Sequence, residues 1–302
     1  MKVLITGAFS LTPELRQKLE NLGLEITFHA DERGRVENPE GFEAVICNGL
    51  FLYNDIARFE KLRFIQLTSA GLDRVPLDYC REKGIRVENA RGVYSAPMAE
   101  FALWGVLQLY KQGKFFTDNQ RAHRWEKHRG LLELAGKTVC ILGCGSVGAE
   151  CAKRFEAFGC RVLGIATGAR EQEHFEAVYA LDSLMDVLPQ ADIVALTLPL
   201  TEQTKHLFSR AAFDAMKIGS ILVNLARGAI VDTPALIEAL ETKLGGAVLD
   251  VFEEEPLGEN SPLWDMENVV LTPHNSFVGE GNSQKMAQCI LGNVLRLLAK
   301  EK

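Results

Sequence analysis

Short apolar runs alternate with segments of helical periodicity along almost the whole chain. Repetition of a strand followed by a helix is typical of a parallel sheet with helices on both of its faces. In the first part of the chain the apolar runs predict strands at 2–6, 44–47, 64–68 and 86–88. Thr12 and Pro13 are favoured where a helix begins and Gly23 where it ends, so we expect a helix between them. These elements predict a small α/β unit.

A second series of strands and helices begins at Lys137. Its apolar runs predict strands at 138–142, 161–166, 193–196, 220–224, 246–250 and 269–271. A last helix at about 279–299 follows this sheet, and we expect it to pack back on the first unit. The predicted domains are therefore 1–95 plus 279–302 and 96–278, in line with the two domains expected for 302 residues.

The stretch between the two series is strongly apolar. Residues 96–111 favour a helix but are too few to span a membrane, and so apolar a helix has to be buried. The other domain or a second subunit could cover it. The polar and basic residues 112–129 then interrupt the alternation of strands and helices.

Composition and net charge narrow the classes of function. Hydrophobic residues make up 47% of the chain and charged residues 24%, which is ordinary for a globular protein. The formal net charge of -7 argues against a nucleic-acid or anionic-membrane partner, because both bind basic surfaces. The seven cysteines include no C-x-x-C pair and the six histidines no paired metal-ligand spacing, which predicts reduced thiols and no metal site. The first apolar run meets Gly7 before a signal peptide or membrane span is complete, which predicts a cytoplasmic protein.

A glycine-rich turn follows the first strand of the second series. Gly143, Gly145 and Gly148 have the spacing G-x-G-x-x-G, and the turn opens an amphipathic helix. The first glycine permits a tight turn, the second lets the backbone approach a pyrophosphate, and the third lets helix and strand pack closely. A purely structural turn is the alternative. The strand-turn-helix context favours a dinucleotide site in which Ser146 and Val147 supply N–H groups at the helix start.

The end of the next strand helps to distinguish an NAD site from an NADP site. An NAD site usually has Asp or Glu at the end of this strand, about 20 residues after the glycines, to hold the ribose hydroxyls. Ala166 occupies that place, and Thr167 and Arg170 follow it. These two side chains could bind a 2′-phosphate, so NADP is predicted as the preferred cofactor. The alternatives are that Arg170 is a solvated surface residue and either cofactor binds, or that NAD is the cofactor.

Three charged side chains follow the ends of later strands in the second series. Parallel sheets bind ligands at the carboxyl ends of their strands, so Arg227, Glu255 and His274 are expected at one cleft. Reduction of a ketone by hydride requires a cation near the substrate oxygens and an acid for the developing alkoxide. Arg227 can bind a carboxylate through two N–H groups, and His274 can be the acid with Glu255 beside it. Each residue alone is ambiguous, since such His and Arg residues are more often structural or surface groups.

Several long motifs occur in one order along the chain. They are 198–201 with Thr204, 216–217 through 224–228, 249–252, and 262–264 through 272–274. In these stretches the chain resembles the D-isomer-specific 2-hydroxyacid dehydrogenase family, and the resemblance covers nearly its whole length. It implies that Arg227 binds substrate, that His274 is the acid-base group, and that Glu255, which directly precedes Pro256, pairs with it.

The resemblance extends to the first domain through 68–73, 92–95 and 99–100. It implies that backbone N–H groups around Ala70 and Gly71 hold the substrate carboxylate, whereas the residues alone also allow a simple tight turn. It implies a Rossmann-type doubly wound parallel sheet in the NAD(P)-binding domain, a flavodoxin-like α/β substrate domain, and a homodimer with the apolar helix in its interface. The further dinucleotide contacts implied by the motifs are Leu198, Pro199, Thr204, Ala226 and Asp250, the last at the nicotinamide amide.

The chain departs from the family pattern at two places besides Ala166. Residues 275–277 differ from the commoner small-residue pattern and are expected to reshape the substrate pocket. From the end at Lys302 we expect no extra regulatory domain, which weighs against a serine-regulated 3-phosphoglycerate dehydrogenase. We predict an NADPH-preferring reductase of a small 2-keto acid, with glyoxylate and hydroxypyruvate as leading substrates. The alternatives are an NAD-dependent D-lactate or phosphoglycerate dehydrogenase and, from another class, a dinucleotide-sensing binding protein. A sensor has no need of an acid, so His274 weighs against it.

Overall fold

The computed structural model describes residues 1–299. It divides into two compact units, Met1–Tyr94 together with the segment from Gly279 onward, and Ser95–Val278. The predicted first domain extends to residue 302, and residues 300–302 lie outside the described part. Each unit is an α/β structure built on one parallel sheet, as the alternating pattern of the sequence predicts.

The first unit contains, within the described residues, a five-stranded parallel sheet in the order β2-β1-β3-β4-β5. Its strands and first helices are β1 (Lys2–Thr6), α1 (Pro13–Asn21), β2 (Glu25–His29), β3 (Ala44–Cys47), β4 (Phe64–Leu67), α2 (Leu77–Glu82) and β5 (Arg86–Glu88). The Thr12 hydroxyl caps α1 by accepting from the Leu15 N–H at 3.2 Å, and Gly23 has a φ of +83° just after the helix. The sequence did not predict β2, because this edge strand is largely exposed and has no continuous apolar run.

The second unit contains, among residues 95–278, a seven-stranded parallel sheet in the order β12-β11-β10-β9-β6-β7-β8. Its elements are α3 (Ser95–Tyr110), α4 (Gly113–Arg121), β6 (Thr138–Leu142), α5 (Ser146–Ala157), β7 (Arg161–Ala166), β8 (Ala177–Ala180), α6 (Leu184–Val187), β9 (Ile193–Leu196), α7 (Arg210–Ala215), β10 (Ile221–Asn224), α8 (Thr233–Thr242), β11 (Gly246–Leu249) and β12 (Val269–Leu271). Helix α4 lies in the polar stretch for which the sequence predicted no element, and β8 is a half-buried edge strand that was also missed.

The sheet of the second unit is covered on both faces. Cys140 and Leu142 belong to one apolar cluster and Val139 and Ile141 to the other, because successive side chains of a strand point to opposite faces. One side of α3 is part of the second cluster, where Gly105 packs so closely that an added Cβ would lie 2.4 Å from Val248. The apolar helix predicted from the sequence is therefore covered on one side within its own unit.

The last helix, α9 (Asn282–Ala299), belongs to the core of the first unit. Met286 and Ile290 pack in one cluster with Val3 and Ile5 of β1. The chain thus returns to the first unit after completing the second. No helix within residues 1–299 combines the length and apolar character required to cross a bilayer.

Candidate active site

The glycine-rich turn between β6 and α5 is too tight for side chains at its first and third glycines. Gly143 has a φ of +98°, and a Cβ on it would lie 2.6 Å from the backbone nitrogen of Leu198. A Cβ on Gly148 would lie 2.2 Å from the Gly143 oxygen. These two glycines therefore allow close packing of strand, turn and helix.

At Gly145, by contrast, the packing of the protein does not require a glycine. A Cβ on it would meet nothing within 4 Å, and Gly145 is the N-cap of α5 without a side-chain cap. The first N–H groups of a helix have no acceptor within the helix, and the helix dipole favours an anion there. The turn therefore fits the pyrophosphate of a dinucleotide, with Gly145, Ser146 and Val147 as the residues that would hold it.

The side chain of Arg170 is held against the same turn. Its Nη2 donates to the backbone oxygen of Cys144 at 3.0 Å, and its Nε donates to Gln172 Oε1 at 3.0 Å. Ala166 is the last residue of β7, and Thr167 behind it is exposed. The strand end thus carries a cation beside the glycine-rich turn and no carboxylate at position 166.

The residues after β9 form a second turn next to the glycines. The Thr204 hydroxyl donates to the Pro199 oxygen at 2.8 Å and accepts from the Thr201 N–H at 2.7 Å. Thr204 is buried and so closes this turn, whereas the backbone of Leu198 borders Gly143. Leu198 thus borders the glycine-rich turn, and Pro199 follows it in the turn that Thr204 closes.

Arg227 lies at the carboxyl edge of the sheet because of a buried asparagine at the end of β10. Asn224 is 1% exposed, accepts from the Ala226 N–H and donates to the Arg227 oxygen, both at 3.1 Å. A Cβ on the next residue, Gly228, would lie 1.8 Å from the carbonyl carbon of Phe252, so this loop packs directly on the loop after β11. The sequence motif contained Asn224, but its shaping of the arginine loop is visible only in the structure.

Asp250 fixes the loop that carries His274. This fully buried carboxylate accepts from the Thr272 hydroxyl and the Asn275 N–H, both at 2.7 Å, and from the Ser276 N–H at 3.0 Å. The His274 N–H donates to the Asp250 backbone oxygen at 2.8 Å. His274 has a φ of +50°, a conformation uncommon for residues other than glycine, and hydrogen bonds on both sides hold it there.

His274 and Glu255 form a hydrogen-bonded pair. Nδ1 of His274 lies 2.8 Å from Oε2 of Glu255, and Oε1 of Glu255 accepts from the Phe252 N–H at 3.1 Å. The hydrogen bond orients the imidazole by holding its Nδ1 side. The Phe277 ring packs edge-on to the imidazole with 6.1 Å between ring centres. The pair can hold and release a proton at the ring nitrogen opposite Nδ1.

The two preceding glutamates have other surroundings. Glu253 accepts from the Thr233 N–H at 2.9 Å and lies 2.6 Å from Nε2 of His206. Burial of the Glu253 carboxyl opposes ionisation, but hydrogen bonds from Thr233 and His206 lower its pKa below the ordinary value. Glu254 is exposed. Among the described residues, only Glu255 of the three meets the His274 imidazole.

The strands that carry these side chains are neighbours. Strands β10, β11 and β12 pair in parallel, with Asn224 beside Leu249 and Leu249 beside Leu271. The loops with Arg227, Glu255 and His274 therefore leave the same edge of the sheet, at the end where open α/β sheets bind ligands. In the first unit, Ala70 and Gly71 follow β4 at the corresponding edge of their own sheet.

Residues 103–276 match the family model of the D-isomer specific 2-hydroxyacid dehydrogenase, NAD binding domain. This match covers more than half of the chain and includes the glycine-rich turn, the paired glutamate and the histidine. The chain belongs to the D-isomer specific 2-hydroxyacid dehydrogenase family. The resemblance seen in the sequence motifs is thereby confirmed.

Several relatives match most of this chain. The chain is 35% identical to an (S)-sulfolactate dehydrogenase from Chromohalobacter salexigens over 90% of this chain and 91% of the relative. It is 36% identical to a glyoxylate/hydroxypyruvate reductase from Arabidopsis thaliana over 79% and 76% of the two chains. A D-isomer specific 2-hydroxyacid dehydrogenase from Xanthobacter autotrophicus, solved in complex with NADPH and MES, superposes with a TM-score of 0.79 at 29% identity, covering 99% and 96% of the two chains.

Membership in this family establishes the reaction class. The protein is an oxidoreductase that uses a nicotinamide dinucleotide and acts on the CH–OH group of small 2-hydroxy acids or on the corresponding 2-keto acids. The expectation of an enzyme with a Rossmann-type dinucleotide domain is confirmed. The dinucleotide sensor is not favoured, since the relatives carry names of enzymes.

Proposed function

We propose that this dehydrogenase works as a reductase that converts glyoxylate or hydroxypyruvate to the D-2-hydroxy acid, with NADPH as the preferred cofactor. The observation that carries the proposal is the 2.8 Å hydrogen bond between His274 and Glu255 at the ligand-binding edge of the dinucleotide sheet. An acid held in this way can protonate the alkoxide that forms when a ketone is reduced. Relatives named as glyoxylate reductases support these small substrates.

Each candidate residue has one proposed role. When bound, the cofactor supplies the hydride. His274 gives its proton to the developing alkoxide, and Glu255 holds the imidazole ring in place through Nδ1. Arg227 binds the substrate oxygens through its guanidinium, which suits a carboxylate or a polarised carbonyl. The N–H groups of Ala70 and Gly71 bind the substrate carboxylate.

The NADP preference rests on the end of β7. Arg170 lies beside the glycine-rich turn through its hydrogen bond to the Cys144 oxygen, so it is close to where an adenosine ribose would follow the pyrophosphate. Ala166 presents no carboxylate to repel a 2′-phosphate. The relative from Xanthobacter autotrophicus was solved with NADPH. NAD as the preferred cofactor is the alternative.

The test is a steady-state assay of the purified protein with NADPH and with NADH on glyoxylate, hydroxypyruvate, pyruvate and 3-phosphohydroxypyruvate. We expect the highest kcat/KM with NADPH and one of the first two acids, and a product of D configuration for hydroxypyruvate. A higher kcat/KM on pyruvate or on the phosphorylated acid would assign the protein to the D-lactate or phosphoglycerate alternative. Tight NADPH binding without turnover on any acid would favour the sensor.

Two further expectations concern assembly and location. Trp104 on α3 is 42% exposed and packs against Phe101 with 4.9 Å between ring centres, which leaves an apolar face on this helix. We propose that a second copy of the chain covers the α3 face around Phe101 and Trp104 in a homodimer. Light scattering of the wild type and of Trp104→Glu tests this proposal. We expect a dimeric wild type and a monomeric variant, and a wild type that is itself monomeric would contradict the proposal. The cytoplasmic location stays a prediction.

A further inference from the structure

The loop after β4 has three consecutive backbone N–H groups to which the described part of the chain offers no acceptor. They belong to Ser69, Ala70 and Gly71, which we call the carboxylate loop. Within residues 1–299 none of these N–H groups has a hydrogen-bond acceptor. Three successive N–H groups in a turn form a concave anion-binding site when they point the same way.

The carbonyl oxygens of the same three peptide units are all held by residues 89–94, the segment directly after β5. The three contacts are the Tyr94 hydroxyl to the oxygen of Thr68 at 2.5 Å, the Ala90 N–H to the oxygen of Ser69 at 2.9 Å, and the Asn89 side-chain amide to the oxygen of Ala70 at 2.6 Å. Each free N–H therefore has an anchored oxygen in its own peptide unit.

Fixing the carbonyl oxygen of a peptide unit also fixes the direction of its N–H group. A trans peptide unit is planar, and its C=O and N–H point in opposite directions. A donor that holds the oxygen from one side therefore directs the N–H to the other side. A flip of the unit would bring the negative oxygen where an anion binds, and it would first have to break the anchoring hydrogen bond.

The neighbouring strand shows which ligand such N–H groups take in this sheet. After β3, the N–H groups of Asn48 and Gly49 both donate to the carboxylate of Glu32 at 2.6 Å, and the Thr6 hydroxyl donates to the same group at 2.6 Å. The loop after β3 is thus filled by a carboxylate of the protein. The carboxylate loop after β4 offers one N–H more, and no carboxylate among residues 1–299 accepts a hydrogen bond from these groups.

We propose that Asn89 and Tyr94 are positioning residues that hold the carboxylate loop in its anion-binding conformation, and that Ser69 adds a third N–H donor for the substrate carboxylate. This proposal rests on the proposed reduction of a 2-keto acid. Neither positioning side chain touches the substrate. Both act by fixing peptide oxygens on the far side of the loop.

The test compares wild type with Asn89→Leu and Tyr94→Phe, each of which removes the donor without adding a charge near the carboxylate loop. The probe is oxamate, a non-reducible carboxylate of 2-keto acid shape, titrated calorimetrically into the NADPH-saturated protein. We expect each variant to raise the Kd of oxamate and the KM of glyoxylate about three- to tenfold, the range for loss of one hydrogen bond. The kcat and the Kd of NADPH should stay within about twofold of wild type.

A matched control is Tyr79→Phe, the same chemical change on α2 of the same unit, which should leave oxamate binding unchanged. Unchanged oxamate affinity in both Asn89→Leu and Tyr94→Phe overturns the positioning role, as does an equal loss in kcat and in NADPH affinity. Wild-type protein that binds oxamate but reduces no 2-keto acid would contradict the proposed function and leave the positioning role of Asn89 and Tyr94 standing. Wild-type protein that binds no oxamate would remove the carboxylate loop from substrate binding.

Discussion

His274 and Glu255 meet through a 2.8 Å hydrogen bond, and each side chain keeps 38% of its surface exposed. The two residues are 19 positions apart and follow adjacent strands, β11 and β12. The exposure leaves the imidazole accessible to a ligand while its Nδ1 side is held. An acid-base pair of this kind can be tested one side chain at a time.

Removing the imidazole should abolish most of the turnover. A placed acid typically contributes about a hundred- to ten-thousandfold in rate, so we expect His274→Ala to lose kcat by that factor. The glycine-rich turn is unaffected, and the Kd of NADPH measured by fluorescence titration should therefore match wild type. Near wild-type kcat in this variant would remove His274 from the mechanism.

The three neighbouring glutamates should differ in their effect on catalysis. Hydrogen bonds to charged groups contribute about 1.5–3 kcal/mol, so Glu255→Gln should lower kcat/KM about ten- to hundredfold at neutral pH. Glu254→Gln is the matched control, because Glu254 is exposed, and it should behave as wild type. Steady-state assays of the two variants decide the role, and equal rates would argue against the pairing of Glu255 with the acid.

Glu253 should act on stability, with a defined pH dependence. Its pKa is lowered in the folded protein from the ordinary 4.5, so its contribution is present above 4.5 and is lost as the pH falls through the folded pKa. Glu253→Gln should therefore reduce the free energy of unfolding at neutral pH by about 1 kcal/mol, since the contacts are partly exposed. Urea denaturation should show this difference shrink on acidification. A pH-independent difference would contradict the assignment.

The cofactor preference should depend on Arg170 and Ala166. Arg170→Ala removes a cation that we propose to contact the 2′-phosphate, and the KM for NADPH should rise about tenfold while that for NADH changes little. Ala166→Asp places the carboxylate that NAD sites usually have and should favour NADH. Initial rates with both cofactors measure the change. A parallel loss with NADPH and NADH would show that Arg170 has no role in the preference.

Substitutions at the second and third glycines of the turn should have different effects, the first mainly on cofactor binding and the other mainly on stability. Gly145→Ala adds a Cβ that meets nothing within 4 Å, and the residue has an ordinary φ of -80°. It should change the unfolding free energy by less than about 1 kcal/mol, because the lower entropy of the unfolded chain is offset by the poorer N-cap preference of Ala. It should still weaken NADPH binding, because the methyl group would face the pyrophosphate. Gly148→Ala, with its Cβ 2.2 Å from the Gly143 oxygen, should lower the melting temperature. Unaltered NADPH affinity in Gly145→Ala would place the pyrophosphate elsewhere.

The sequence predicted the buried strands far better than the edges of the sheets. Strands β6, β7 and β9 have the predicted bounds, because central strands of a parallel sheet are apolar on both faces and stand out as continuous runs. Strands β2 and β8 lie at the ends of their sheets, with exposed or half-buried residues, and left no such run.

By itself the sequence determined the alternating α/β architecture, the glycine-rich turn and the family, since burial and glycine spacing are local properties that a residue pattern records. Only the tertiary structure decided that Asp250 holds the histidine loop, that Glu253 meets Thr233 and His206, and that residues 89–94 anchor the carboxylate loop. These contacts join residues about 20 or more positions apart. Their partners are set by how each loop leaves its strand, and a linear pattern of apolar and polar positions does not contain that geometry.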